Sequence, residues 1–516
     1  LTMMHPELPR LSTQGSSARL QLRGGPYLVI GGECYNSSGS TSETLAVIWK
    51  HATSLNLNTV LVPVYWELIE PEEGRFDFSS VDLLINQARE NQLRLIPLWF
   101  GTWKNAQSTY VPAWAKLDTK RFFRVEAVPG EKSRTISPLC SSAAQADARA
   151  FTALMRHIRQ VDSAEQTVVM VQVENETGLL GAARDVSSIA NKAFEQQVPP
   201  SLIAKVSDVG DEGSSEFRQA WQAAGSRSGG NWHEIFGATA DEIFMAWHIA
   251  LFVETVVAAG KREYALPMFV NCWLVQHDAE KPGSYPSGGP VSKVMEVWRA
   301  AAPSIDFYSP DIYLNDFKGV CAKYALPDNP LFIPESKILT AYAEAFWAIG
   351  EHGAIGFSPY NFDAFGEAPL LGEARRNLAE TNQLLDALAE FILANVGTGK
   401  LRGILQTQQL REIVDFGHFR ALISFNERRT AEQPIGRGLL IQLADNEFLI
   451  AGADFHLSLL PAVGQRGTTD FLHAREVHVD KRMLSTIRHL NGDDTWGAGI
   501  GMGSTLRVIH AAVYNY

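Results

Sequence analysis

Val171-Gln172-Val173-Glu174-Asn175-Glu176-Thr177-Gly178 closes an apolar run, Thr167-Val168-Val169-Met170, with a carboxylate, an amide, a second carboxylate and a glycine turn. A β-branched strand that delivers Asn-Glu at its carboxyl end is how a parallel barrel presents a proton donor to a sugar. A second strand end of this kind follows at Leu331-Phe332-Ile333-Pro334-Glu335-Ser336-Lys337. Two such ends point to chemistry that uses a pair of carboxyl groups, as glycoside hydrolysis does.

Around these two segments, short apolar strands alternate with helical stretches in the order that closes a parallel sheet. The strands are Tyr27–Gly31, Asn58–Val64, Leu93–Trp99, Thr167–Val173, Pro267–Asn271, Ser304–Ser309, Leu331–Pro334 and Ala354–Ser358. Most are continuous Val, Ile, Leu and Phe runs rather than alternating ones, as strands buried on both faces require. The fold class is therefore α/β, a (β/α)8 barrel over residues 1–397. Helix starts agree: Ser40-Thr41-Ser42-Glu43 fits a capping box ahead of Leu45, Val47, Ile48 and Leu55, and Ser79 precedes the apolar face Val81, Leu84 and Ala88. Arg19–Leu22 and Tyr27–Ile30 flank Gly24-Gly25, a hairpin signal before the barrel. The polar stretch from Leu179 to Asn231 predicts an elaborated, partly helical loop after strand four. From Thr398 the pattern changes to short alternating strands separated by Gly, Asn and Asp turns, which predicts a smaller antiparallel β-sandwich-like domain over residues 398–516.

With 516 residues the chain exceeds one ordinary core, and 46% hydrophobic content with 12 Trp, 26 Phe and 13 Tyr describes a well-packed enzyme. No segment reaches the roughly 20 apolar residues of a membrane span, so no membrane partner is expected. The net charge of −12 argues against nucleic acid, whose binders carry a basic face. A neutral oligosaccharide suits it better, and a homodimer is the assembly to test for. Cys34, Cys140, Cys272 and Cys321 are widely spaced and predict free thiols. The opening Leu1-Thr2-Met3-Met4-His5 has neither a basic nor an apolar leader segment, which fits a mature periplasmic or secreted chain, or a cytoplasmic one. The 13 histidines show no metal-ligand spacing, Gly229-Gly230 and Gly497–Gly503 are no phosphate cradles, and no Gly-x-Ser-x-Gly elbow occurs, so neither metal nor cofactor is called for.

In the retaining mechanism the two carboxyl groups lie about 5–5.5 Å apart, one bonding to the anomeric carbon while the other moves the proton. Glu176 is the expected acid/base and Glu335 the expected nucleophile, with Glu174, deeper in the strand, in support. Asn175 is suited to donate to the sugar 2-hydroxyl, and Tyr313 to donate to Glu335. Glu33, Trp66, Lys104, Asn105, Asn271, Trp273 and Tyr360 lie at or just past other strand ends, where sugar-binding polar and stacking groups belong.

Val173-Glu174-Asn175-Glu176 and Ile333-Pro334-Glu335-Ser336 resemble the clan A glycoside hydrolases, and among them the family 35 β-galactosidases, in the bacterial branch with a short β domain behind the barrel. The resemblance extends through Gly31-Gly32-Glu33, the run Pro63–Pro71, the run Trp99–Asn105 and Pro310-Asp311-Ile312-Tyr313. It implies an exo-acting, retaining β-galactosidase acting on terminal galactose, with plant-wall xyloglucan-type fragments among the substrates. The chain departs from the family where Trp103-Lys104-Asn105 replaces an Asn-Ala-Glu type of loop after strand three. Other clan A activities, on β-glucosides, β-mannosides or internal glycan bonds, and a carbohydrate-binding barrel without catalysis, are the alternatives.

Overall fold

A computed structural model describes residues 7–15, 17–208, 215–364 and 372–516. Residues 1–5, which carry the leader argument, lie outside the described residues. The chain divides into two compact units, one including Cys34–Trp49 and Val60–Leu314, the other Leu11–Glu33, Lys50–Thr59 and Asn315–Tyr516.

In the first unit, strands two to six form as Thr59–Tyr65, Arg94–Phe100, Val171–Val173, Met268–Trp273 and Phe307–Asp311. Strand four pairs in parallel with strand three through Trp99↔Val173 and with strand five through Met268↔Val171. Strand five pairs with strand six along its whole length, from Phe269↔Phe307 to Trp273↔Asp311. Every residue of Thr59–Tyr65 is buried, which explains the unbroken apolar run in the sequence.

In the second unit, strand one is Val29–Glu33 and strand eight Gly356–Phe357, paired in parallel through Gly356↔Val29. The seventh segment is no regular strand, although Ile333 bridges to Phe357 and three backbone bonds tie it to the strand-eight segment, from Ile355 N–H to Leu331 O (2.8 Å), Ile333 N–H to Gly356 O (3.2 Å) and Ser358 N–H to Ile333 O (2.9 Å). Pro330 and Pro334 flank it and supply no amide donors, so a longer ladder cannot form there. The order six-five-four-three-two within the first unit and the parallel pairing of one with eight within the second are those of a (β/α)8 barrel.

Helix Ser42–Ser54 starts where predicted, with a different cap. Thr41 and Thr44 exchange side-chain-to-backbone bonds of 3.3 Å in both directions, in place of a Ser40/Glu43 box. Helix Ser79–Glu90 buries Val81, Leu84 and Ala88 as expected. The loop after strand four carries helices Ser188–Phe194, Pro200–Asp208 and Glu216–Ala223.

One expectation needs correction. The helical stretch Trp232–Glu263, 32 residues with a mean hydropathy of 1.7 in its most apolar window, is long and apolar enough to cross a membrane. Here it is a core element, with 72% of that window buried. Its Gly260 lies against helix Ser141–Asp162 so closely that a Cβ would sit 2.2 Å from a Phe151 ring carbon.

The second unit continues through helix Gly372–Asn395 into antiparallel sheets of six and four strands, beginning with Leu401–Leu405 and Arg411–Asp415 respectively. Both sheets contribute to one apolar cluster that includes Phe419, Ile423, Leu440, Phe448, Ile450 and Leu457, the arrangement of a β-sandwich. All four cysteines are buried free thiols.

Candidate active site

At the end of strand four the backbone leaves the extended region repeatedly. Glu174 and Glu176 have φ of 61° and 43°, and Gly178 has φ of 143°. A non-glycine residue in the left-handed region costs about 1–3 kcal/mol and persists only where its surroundings impose it. Three bonds do so here: Asn175 N–H donates to Trp103 O (3.2 Å), Ala106 N–H to Glu176 O (2.9 Å), and Glu176 N–H to Asn271 Oδ1 (2.9 Å). The Asn271 amide also donates to Asp311 Oδ2 at 2.7 Å. One amide side chain thus fixes the backbone of Glu176 and the carboxylate of Asp311. Carboxyl oxygens of Glu176 and Asp311, both buried, lie within 4.8 Å of each other.

Beside them, Lys104 is buried with its ammonium 3.0 Å from Asn175 Oδ1 and 5.0 Å above the Phe100 ring. The Asn175 oxygen is thereby taken, while its Nδ2 has no hydrogen-bond partner. A buried amide donor left this way costs about 1–3 kcal/mol, so it suits an incoming hydroxyl.

Beneath this layer Glu174 meets Asp147, a buried acid among Ala143, Ala146 and Ala150 of its helix. Asp147 accepts from Trp99 Nε1 (2.7 Å) and from Thr102 N (2.9 Å) and Oγ1 (2.5 Å). Glu174 Oε2 accepts from Trp103 N–H at 2.7 Å. Burial raises both carboxyls, and the Asp147 charge adds to the rise at Glu174, which lies well above the usual range. The two carboxyls disfavour joint ionisation, and through their bonds to Thr102 and Trp103 they clamp the loop after strand three. Gly101 is required there, because a Cβ would lie 2.5 Å from Trp99 Nε1 and 2.7 Å from Asp147 Oδ2.

In the second unit the ends of strands one, seven and eight are laced together. Glu33 N–H donates to Pro359 O (2.9 Å), Glu33 bridges to Tyr360, and Tyr360 N–H donates to Ser336 O (3.0 Å). Glu335, between Pro334 and Ser336, is buried, as is Glu33, and Tyr360 is half-buried.

The remaining predicted contacts differ in their surroundings. Trp66 is a correction: it is fully buried, its indole N–H donates to Glu70 Oε2 at 2.8 Å, and it packs edge-on against Trp114, so it braces the turn and offers no face to a sugar. Trp273 and Asn105 are half-buried, and Tyr313 is 37% exposed. Asn271 acts through Glu176 and Asp311, as described above. Asp311 and Asp147 were not singled out from the sequence. Asp311 ends strand six and obeyed the same strand-end rule as the others, whereas a lone Asp among helix alanines was the only sign of Asp147.

Residues 34–202 match the sequence model of a family described as β-galactosidase, glycoside hydrolase family 42, and residues 378–501 match a domain of unknown function, DUF5597. The matched family is family 42. The family 35 expectation gives way to a relation with clan A β-galactosidases more broadly, since the strand-end motifs that carried it are not specific to one family of the clan. A β-galactosidase of Xanthomonas manihotis is 31% identical over 183 residues, which span 33% of this chain and 27% of that protein. The β-galactosidase of Bacillus circulans sp. alkalophilus is 16% identical, with a TM-score of 0.48 over 71% of this chain and 57% of that one. An exo-β-1,4-mannosidase from Opitutaceae bacterium strain TAV5 is 15% identical, with a TM-score of 0.44 over 72% and 62%. The chain thus covers about a quarter of the curated relative and somewhat over half of the first structural one.

Proposed function

We propose that this chain is a retaining, exo-acting β-galactosidase that releases terminal galactose from neutral oligosaccharides. The observation that carries the reading is the end of strand four. There a strained backbone, an Asn271 clamp, an adjacent Asp311 carboxyl and an unpartnered Asn175 donor converge on Glu176. In this mechanism Glu335 attacks the anomeric carbon as the glycosidic bond breaks, and Glu176 gives its proton to the departing oxygen. Glu176 then takes a proton from water, whose oxygen displaces Glu335 and regenerates both carboxyl groups. Asn175 Nδ2 donates to the sugar 2-hydroxyl, where hydrogen bonds strengthen in the transition state.

The test is Glu335→Ala with nitrophenyl β-galactoside, with and without azide. Turnover is lost, and azide restores it with an α-galactosyl azide as product, because a small anion fills the vacated volume. A β-galactosyl azide would make Glu335 the acid/base instead. Preferential cleavage by the wild type of a nitrophenyl glycoside of another sugar would overturn the galactose assignment.

A further inference from the structure

The second unit contains a cavity of about 1030 Å³ that includes neither Glu335 nor Glu33 in its lining. Small-molecule pockets run from about 300 to 1,000 Å³, so this one is too large for an ion or a single sugar. Four stretches wall it: Asn315–Lys318 after strand six, Lys337 to Glu344 after the seventh segment, Leu405–Leu410 leading out of the first sandwich strand, and the segment that holds Glu427, Arg428 and Ile435.

Its cations are engaged. Lys318 pairs with Glu412 at 2.6 Å and covers the Trp347 ring at 3.9 Å, and Lys337 donates to Asn315 Oδ1 at 3.0 Å. The Arg428 guanidinium donates to the carbonyls of Gln433 (2.8 Å) and Ala431 (2.9 Å). Lys318, Lys337 and Arg428 stand beside Asp316, Glu427 and the buried carboxyl of Glu344, so the wall carries at most one net positive charge. A phosphorylated or strongly anionic ligand finds no uncommitted cation there. Exposed amides remain, in Gln408 and Gln409. Glu344, only 8% exposed, lines the cavity with an Oε2 that has no hydrogen-bond partner. Amides and a buried carboxyl, each able to face both donors and acceptors, match a chain of hydroxyl groups.

We propose that this cavity binds a neutral oligosaccharide through sugar units other than the one that is cleaved. Lys337, in the same segment as Glu335, joins the cavity to the seventh-segment end. The link to turnover rests on the β-galactosidase reading, whereas the binding itself does not.

The experiment compares wild type with Gln408→Ala and Gln408→Trp on nitrophenyl β-galactoside and on a galactosylated xyloglucan oligosaccharide. Calorimetric titration with the same oligosaccharide and thermal melts accompany the kinetics. Supporting results are unchanged kcat/KM on the nitrophenyl substrate and a fall of about tenfold on the oligosaccharide, carried by KM. Equal effects on both substrates, or none on either, overturn the proposal. If the wild type cleaves no β-galactoside, the activity reading fails and titration decides alone. Wild-type binding that Gln408→Trp abolishes supports the site, and no wild-type binding, or binding that both variants retain, overturns it. If Gln408→Trp melts early, Gln408→Ala decides by the same criteria.

Discussion

The end of strand four and the core of the C-terminal sandwich are both shielded from water, yet they are built on opposite terms. In the sandwich Phe448, Ile450, Leu440 and Ile423 fill the interior with apolar volume, and none of them has a positive φ. At strand four the interior holds Glu174, Asn175, Glu176, Asp147 and Lys104, two residues with left-handed backbone and a donor without a partner. The first arrangement stabilises a fold. The second is tolerated only because surrounding bonds hold it, and such tolerated strain accumulates where a protein needs groups aimed rather than relaxed.

That contrast can be broken by substitution. Glu176→Ala lowers kcat on nitrophenyl β-galactoside by about 10²–10⁴-fold, the usual share of general acid–base catalysis, without lowering the melting temperature. A large loss of stability would mean that the acid belongs to the scaffold. Phe448→Ala does the reverse: it costs about 3–5 kcal/mol in denaturant unfolding, and the folded fraction keeps its kcat. A fall in kcat at full folding would tie the sandwich to the chemistry.

Glu344 tests the terms of burial away from both regions. Burial pushes its carboxyl from 4.5 up to about 7, so the folded chain holds a proton that the unfolded chain has already released. Stability therefore falls as pH rises from about 4.5 to about 7, by about 3 kcal/mol in all. Glu344→Gln removes that dependence: its stability advantage over the wild type is absent near pH 4, opens through this window and is level above it. Unfolding curves at several pH values check this, and a gap that does not change with pH would refute it.

The smallest effect separates two acids of one strand. Burial and the Asp147 charge push the Glu174 carboxyl well above the usual range, so Glu174→Gln, which can donate to Asp147 and accept from Trp103, changes kcat less than about tenfold. Loss of turnover comparable to that of Glu176→Ala would give Glu174 a chemical role.

Much of the barrel was legible because strands buried on both faces leave unbroken apolar runs, and the same runs located the segment ends that carry Glu176 and Glu335. The seventh element was legible as position rather than as strand, since Pro330 and Pro334 remove the donors a ladder needs. Trp66 misled because a strand end followed by a helical turn can bury an aromatic ring instead of presenting it. In the sandwich, Arg411–Asp415 and Met483–Leu490 carry no alternating pattern in the sequence, because only Val414 and Leu490 of these edge strands are buried. The Glu174–Asp147 pair was hidden for a different reason: residues 147 and 174 meet only after the sheet has formed.

Trp232–Glu263 has a bearing on biogenesis. A ribosome releases Ser141–Asp162 before it releases this greasy rod, so the companion that shelters it is already available when it emerges. Fragments cut to start between the two would offer an insertion apparatus a segment that passes for an anchor, and expression trials that trim the amino-terminal half should look for the product in the lipid fraction.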